Sequence, residues 1–445
     1  MVNSKQRLAL LASAKAHRVI IVGGGAAGLE LATQLSDSSG FSVTLIDRVR
    51  THVWKPKLHE IAAGTMDIAS HEVGYLAHAR KHGFEFRIGE MTRLDREGKE
   101  VWLAPYIDAE GEEVTPARSF GYDTLVIAVG SQSNDFGTPG VRENTLKLES
   151  LGDASRFNRK LMNACFRRQA SALDDEPKAL RVCIIGAGAT GVELASELLR
   201  TGKEVYATGS TREVNRQGIE VHLIEAAERI LPALPARLSF AASRLLAGQG
   251  VEVHTAAKVK AVHATDVELD DGRRLPAELT VWAAGIKAPA FLKELAGLES
   301  NRLGQLVVGP SLQTTRDARI FAIGDCAACP TTDGQGVVPP RAQAAHQQAQ
   351  HLARHLHAYA KGRPVPGYRY RDFGSLISLG QFSTVGSLMG GLVGRSMFIE
   401  GLFAKSMYLA MYKKHELAIH GWRRMVLESL ARMLSSGGRS RVKLH

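Results

Sequence analysis

The stretch "VIIVGGGAAGLELATQL", Val19 to Leu35, is an apolar β-branched run, a cluster of glycines and then a helix-forming repeat; "VCIIGAGATGVELASEL", Val182 to Leu198, says nearly the same again. In each copy the strand enters G-x-G-x-x-G. The first glycine (Gly23, Gly186) permits the tight turn, the second (Gly25, Gly188) lets a pyrophosphate approach the backbone, and the third (Gly28, Gly191) lets helix pack on strand. The amides at the helix N-terminus then face the phosphates. Each copy is followed by a strand closing on an acid, "FSVTLID" at Asp47 and "IEVHLIE" at Glu225. A carboxylate there accepts hydrogen bonds from a ribose diol and repels a 2'-phosphate. The expected fold class is therefore α/β, with two Rossmann-like dinucleotide-binding domains. "TGKEVYATGSTREVNRQG", Thr201 to Gly218, lengthens the second copy and reads as a surface loop inserted before the acid-bearing strand.

Composition sets the outer limits. A chain of 445 residues and 48.1 kDa exceeds one compact core, so two or three domains are expected. Apolar residues at 44% and charged residues at 23% argue against disorder and against a polytopic membrane protein. The net charge of +11 and pI near 9.5 ask for an anionic partner. Four scattered cysteines do not make a secreted disulfide framework, which points to a reducing compartment. The apolar run "LALLASA", Leu8 to Ala14, is short for an export signal and abuts a nucleotide-binding strand. No run reaches the ~20 apolar residues that span a bilayer.

Downstream, "RIFAIGDCA" (Arg319 to Ala327) is an apolar strand ending in Gly324-Asp325, and "PPRAQAAHQQAQHLARHL" opens a helix behind two prolines. This order resembles that of two-dinucleotide flavoproteins. The resemblance implies that Asp325 meets the ribityl chain of FAD and that the next helix points its N-terminus at the flavin pyrimidine ring, where its dipole favours the anionic reduced form. It implies FAD at the first glycine turn and NAD(H) at the second. "YDTLVIAVG" (Tyr122 to Gly130) and "LTVWAAG" (Leu279 to Gly285) match the strands by which such chains pass between their domains, with Val129 and Ala284 standing where the usual A-T-G has threonine. No cysteine precedes Cys165, so the redox pair of disulfide reductases is missing from its usual place. The pair Cys326 and Cys329 reads as a dithiol, as half a metal site or as structural; with no second such pair, the structural reading is favoured.

Seven segments in order narrow the family: "THVWKPKLHEIAAGTMD", "YDTLVIAVGSQSNDFGTPGV", "GAGATGVELASEL", "TVWAAGIKAPAFL", "IFAIGDCAACP", "PPRAQAAHQ" and "FSTVGSLMG". From about Arg18 onward the chain resembles the bacterial type II NADH dehydrogenases, single-subunit NADH:quinone oxidoreductases that pump no protons. Lys57 departs from the apolar residue of many relatives and adds charge to its segment. The resemblance implies hydride transfer from NADH to tightly bound FAD, followed by two-electron reduction of a membrane quinone. FAD would be held by Gly23, Gly25, Gly28, Asp47, Gly324, Asp325 and Ala342, and NADH by Gly186, Gly188, Gly191 and Glu225. Gln343 and Gln347 lie four apart on one helical face, with Ala342, Ala344 and Ala345 leaving room for a flat ring. Spacing alone reads them as a solvated face; the resemblance makes them quinone contacts. Glu193, in the first turn of a helix, suits the dipole on structural grounds alone, whereas the resemblance makes it a tuner or relay of protons beside nicotinamide and flavin. No metal ligands are expected.

The basic charge gathers at the C-terminus, where Ala404 to His445 hold nine Lys or Arg against two Glu. Glu416, His420, Arg423, Arg424, Glu428 and Arg432 form a polar stripe opposite Ile419, Trp422, Met425, Val426, Leu430 and Met433. A basic amphipathic helix of this kind lies on an anionic lipid surface; packing on the protein's own core is the alternative. The modules that read nucleic acid are missing. The expected organisation is an N-terminal extension (1–17), an FAD domain in two parts (18–150 and 291–385, the second with the quinone-side helix), an inserted NAD(H) domain (151–290) and a membrane-binding region (386–445). The implied location is peripheral, on the cytoplasmic face of the inner membrane, with oligomeric state open and a homodimer among the options. A soluble reductase of a small iron–sulfur protein, and a non-catalytic NAD(H)-binding sensor, also fit both glycine turns; the basic tail speaks against the first.

Overall fold

The computed structural model describes residues 16–36, 40–68, 71–171, 179–207, 218–379, 384–388 and 397–400, with Ala410, Lys413 and Leu417 singly. In chain order the elements that form the two main sheets and their covering helices begin with β1 (His17–Val22), α1 (Ala26–Ser36), β2 (Phe41–Asp47), α2 (Leu58–Ala63), α3 (Tyr75–His82), β3 (Glu85–Ile88), β4 (Thr124–Ile127) and α4 (Leu151–Ser171). They continue with β5 (Leu180–Ile185), α5 (Ala189–Ala207), β6 (Ile219–Ile224), α6 (Ala236–Gln249), β7 (Val251–His254) and β8 (Leu279–Trp282). After these come β9 (Gln313–Thr314), β10 (Asp317–Ala322), α7 (Ala342–Tyr359), β11 (Ser375–Ser378), β12 (Thr384–Leu388) and β13 (Met397–Glu400).

The chain divides into two compact units. One comprises Met1–His52, Glu72–Gln132 and Ile286–Arg371; the other comprises Val53–His71, Ser133–Gly285 and Asp372–His445. The division falls at 132/133 and 285/286, where the sequence reading drew 150/151 and 290/291, and it groups 53–71 with the second unit.

In the first unit a six-stranded sheet runs β9-β10-β4-β1-β2-β3. All its pairings are parallel except β9 with β10, which turn back on each other. Its central strands are apolar on both faces, as a parallel sheet covered on both sides requires. α1 packs against α7.

The second unit repeats the plan with a four-stranded parallel sheet, β7-β6-β5-β8. Strand parity sorts its two faces. Val182, Ile184, Val221, Leu223 and Val281 join the core with α2, α4, α5 and α6. Cys183, Ile185, Ile224 and Trp282 instead meet Val262, Val267 and Leu269 of a three-stranded antiparallel sheet (Val259–Val262, Asp266–Leu269, Arg274–Pro276). Successive side chains of one strand point to opposite faces, so the uninterrupted apolar run of β5 serves two cores at once. β11, β12 and β13 form a further antiparallel sheet.

The first part of the segment read as an inserted loop is helix: α5 runs on to Ala207, and Thr201 is fully buried with its hydroxyl donating to the Ala63 carbonyl at 2.7 Å. Polar composition signalled a loop, but Thr201 and Val205 are buried, and the helix runs on with that face packed in the core. Residues 208–217 and the whole of the C-terminal amphipathic stripe from Glu416 to Met433 lie outside the described residues.

Candidate functional site: two dinucleotide cradles and their acids

Both glycine turns have the geometry their sequence predicts. Gly23 and Gly186 have φ of +104° and +102°, conformations open to glycine, and a Cβ on either would strike backbone across the sheet, at 2.4 Å from the Ala128 carbonyl oxygen and 2.7 Å from Ala284. Gly28 and Gly191 are tighter still. A Cβ there would stand 1.8 Å from the Gly23 carbonyl oxygen and 2.0 Å from that of Gly186. At Gly25 and Gly188 the added atom would meet nothing within 4 Å. These two glycines leave a cradle open for a ligand; the others close the fold beneath it.

The acids match as closely. One Asp47 oxygen accepts from the Gly24 amide at 2.5 Å and the other from the Val49 amide at 3.0 Å. In the second unit Glu225 accepts from the Ala187 amide and from the Ala227 amide, each at 2.9 Å. A carboxylate has about four lone-pair positions, so each acid, pinned at both oxygens, keeps acceptor capacity for a ribose diol. Burial raises the Asp47 carboxyl above the usual carboxylate range, partly offset by these amides. The residues fit FAD in the first unit and NADH in the second.

In the first unit β10 delivers Gly324 (φ +74°) and Asp325. Three residues that sequence reasoning missed set their position. The buried Gln348 accepts the Gly324 amide at 2.7 Å, Gln305 donates to the Asp325 carbonyl at 2.8 Å, and the Ser131 hydroxyl donates to the Asp325 carboxylate at 2.8 Å. Gln348 had a signal: it is the one strongly polar residue on the buried face of α7, among Ala344, Ala345, Ala349, Leu352 and Leu356. α7 opens at Ala342 with Arg341 as its cap residue, so both prolines precede it and its N-terminus stands where the sequence placed it. Gln347, one residue before Gln348, spends its amide on backbone, donating to the Arg371 carbonyl at 2.8 Å and accepting the Arg371 amide at 3.0 Å. Gln343 lies one turn earlier, half-buried.

Glu193 is the fifth residue of α5, past the first turn in which the sequence set it; it is buried and accepts the Ser378 amide at 3.0 Å. Its other oxygen lies 3.5 Å from Nδ1 of the buried His59. Burial pushes the Glu193 carboxyl up to about 8 and holds the His59 imidazole down to about 4. At neutral pH the pair is a protonated acid beside a neutral imidazole, a composition suited to moving a proton. Lys57, also buried, is paired with Glu60, so the charge it adds is neutralised locally. The same position of the repeated motif holds Glu30 in α1, fully buried and bonded to His346 of α7 and to Gln34. Sequence reasoning passed over Glu30, though the parallel G-L-E and G-V-E triplets point to it.

All four cysteines are free and buried. Burial raises the Cys326 and Cys329 thiols to about 12, and both thiols face carbonyl oxygens, so both are protonated at neutral pH. No helix among the described residues is long and apolar enough to cross a membrane.

Residues 17–349 match the family of pyridine nucleotide-disulphide oxidoreductases. A type II NADH:quinone oxidoreductase of Haemophilus influenzae is 41% identical over 96% of this chain and 99% of its own length. One from Mycobacterium tuberculosis is 30% identical over 96% of this chain and 89% of its own. The fold is that of NDH2 from Plasmodium falciparum, solved in complex with NADH, at a TM-score of 0.81 and 19% identity, covering 96% of this chain and all of that one. With identity of this level along nearly the whole chain, and with both cradles and their acids in place, the chain belongs to the type II NADH:quinone oxidoreductases.

Proposed function

We propose that, in this NADH:quinone oxidoreductase, Glu193 manages the proton of the reaction while the helix bearing Gln343 and Gln347 faces the quinone. Bound FAD supplies the two-electron chemistry. The chain's own residues do the rest. Gly188 and Glu225 hold and orient NADH, Gly25 and Asp47 hold FAD, and Gln348, Gln305 and Ser131 fix the loop that presents Asp325. The buried Glu193, protonated at neutral pH and adjacent to a neutral His59, is the observation that carries the proton role. Gln343 offers an amide to a quinone headgroup, and Gln347 anchors the Arg371 backbone alongside.

Rapid mixing tests the division of labour. Gln343→Leu should slow reoxidation of the flavin by quinone and leave its reduction by NADH near normal at unchanged flavin content. Collapse of the reductive half instead would remove the quinone from this helix.

The location is the second part of the proposal. The basic amphipathic tail binds an anionic leaflet on the cytoplasmic face of the inner membrane, each basic residue near the surface contributing about 1 kcal/mol before screening. A quinone then reaches the enzyme without its isoprenoid chain crossing water. A chain ending near Gly401 should lose sedimentation with anionic vesicles and reduction of long-tailed quinones, while a flavin-loaded preparation still reduces a water-soluble acceptor. Vesicle binding as strong as that of the full chain would remove the tail's role. A homodimer is the proposed assembly, to be read as twice the 48.1 kDa chain mass by sedimentation equilibrium.

A further inference from the structure

The parallel register of β6 with β7 sets His222 opposite Glu252 and Ile224 opposite His254. Residues in register, and residues two apart on one strand, share a face of the sheet. His222, Glu252 and His254 therefore meet on one face. β7 is the sheet's edge strand, so Glu252 reaches solvent while both imidazoles are buried or nearly so.

Their nitrogens and oxygens converge on a point. His222 Nδ1 is 3.1 Å from His254 Nε2. Glu252 straddles the pair, with Oε2 at 3.4 Å from His222 Nδ1 and Oε1 at 3.5 Å from His254 Nε2. Bonds of ~2.0–2.1 Å from a tetrahedral ion place its ligand atoms ~3.3–3.4 Å from one another; the two nitrogens, and each nitrogen with the carboxylate oxygen facing it, lie close to that edge length, single ligand atoms of the three residues lie within 4.8 Å of one another, and rotation of the exposed Glu252 carboxylate brings one oxygen toward both imidazoles. On its far side, His222 Nε2 is 3.0 Å from Glu220 Oε1. A neutral imidazole that donates its Nε2–H to that carboxylate turns the Nδ1 lone pair toward His254 and Glu252. This is the arrangement by which outer carboxylates orient metal-binding histidines.

From this geometry we infer that His222, His254 and Glu252 form a binding site for one divalent ion of the zinc class, with Glu220 as the positioning carboxylate and a fourth, solvent-facing position left for water. Two imidazoles and a carboxylate in a tetrahedral set suit Zn²⁺ or Co²⁺ and are a poor match to the all-oxygen shells of Ca²⁺ and Mg²⁺. Should His254 Nε2 hold a proton toward His222, entry of the ion displaces that proton to solvent. The two carboxylates balance the charge of the ion. The site also adjoins the second cradle through the backbone, because the amide of Glu225 donates to the His254 carbonyl at 2.8 Å. A bound ion would clamp the edge strand that supports the ribose-binding acid.

The test uses the FAD-loaded full chain, cleared of metal with a chelator and titrated with Co²⁺. The expected result is one tight equivalent giving visible ligand-field bands of tetrahedral intensity, displaced by Zn²⁺, with a raised Tm. Glu252→Gln keeps the shape of an exposed side chain, and it should lose the bands and the metal-dependent Tm shift. Glu220→Gln should weaken binding by about 10- to 100-fold without abolishing it. His222→Ala/His254→Ala, checked for flavin content, should remove the equivalent outright. Bands unchanged in Glu252→Gln, a thiolate-to-cobalt charge-transfer band marking the cysteines, or no tetrahedral cobalt in the wild-type chain would each overturn the site.

Discussion

Glu193 Oε2 and His59 Nδ1 lie 3.5 Å apart in the second unit, both buried, and their titrations are displaced in opposite directions. The folded carboxyl keeps its proton to about 8 against 4.5 for an ordinary glutamate, so stability linked to it is full below pH 4.5 and is lost as pH rises toward 8. The folded imidazole gives up its proton near 4 against 6.5, so its contribution is full above pH 6.5 and is lost as pH falls. Between 4.5 and 6.5 the two slopes oppose each other; from 6.5 to 8 only that of Glu193 remains. Glu193→Gln should therefore flatten the loss of stability on the alkaline side, recovering at most about 1.4 kcal/mol per pH unit. Denaturant melts at a series of pH values check this. An alkaline slope equal to that of the wild type would mean that Glu193 is ionised in the folded protein.

The glycines of one turn separate binding from folding. Gly28→Ala places a Cβ 1.8 Å from a carbonyl oxygen and should destabilise the fold by ~1–3 kcal/mol or more. Gly25→Ala meets no protein atom within 4 Å and should leave the flavin-free protein as stable as before, yet it should retain far less FAD because the methyl stands in the cradle. Thermal melts with and without added FAD distinguish the two. Equal flavin retention by Gly25→Ala and wild type would move the pyrophosphate elsewhere.

Glu225 should set the choice of nicotinamide cofactor. The wild type should prefer NADH over NADPH in kcat/KM, and Glu225→Gln should narrow the gap by ~1–3 kcal/mol, about five- to 150-fold, by removing the charge that repels a 2'-phosphate. The amide side chain keeps one acceptor oxygen, and so one of the two backbone bonds to Ala187 and Ala227. Equal kcat/KM for both cofactors in the wild type would contradict the assignment.

Gln348→Leu removes the acceptor of the Gly324 amide inside a buried contact. An orphaned buried amide costs ~1–3 kcal/mol, and the loop it releases presents Asp325. The variant should melt earlier and lose FAD more readily, whereas Gln348→Glu, which keeps an acceptor oxygen, should retain part of both. Equilibrium dialysis of FAD and thermal melts would show it; unchanged flavin affinity in Gln348→Leu would separate this bond from cofactor retention.

The two cradles were legible in the sequence because everything that makes them is local. A β-branched run, a glycine forced to positive φ, a glycine under a helix and an acid at the end of the next strand lie within one strand–helix–strand segment, and each leaves its mark in residue type. The partners of buried polar groups were not legible. Ser131 and Asp325 are 194 residues apart, Glu193 and Ser378 are 185, and no periodicity links them. Lys57 read as an added charge until burial paired it with Glu60, and Thr201 read as loop until a carbonyl of another helix took its hydroxyl. The convergence of His222 with Glu252 and His254 depends on strand register, which is settled by how two apolar faces pack rather than by the residues that the register brings together. Local sequence thus determined the two glycine cradles and the acids beside them. Tertiary structure decided which buried groups stay neutral, which are paired and which face one another, because desolvation and long-range partners exist only once the chain has folded.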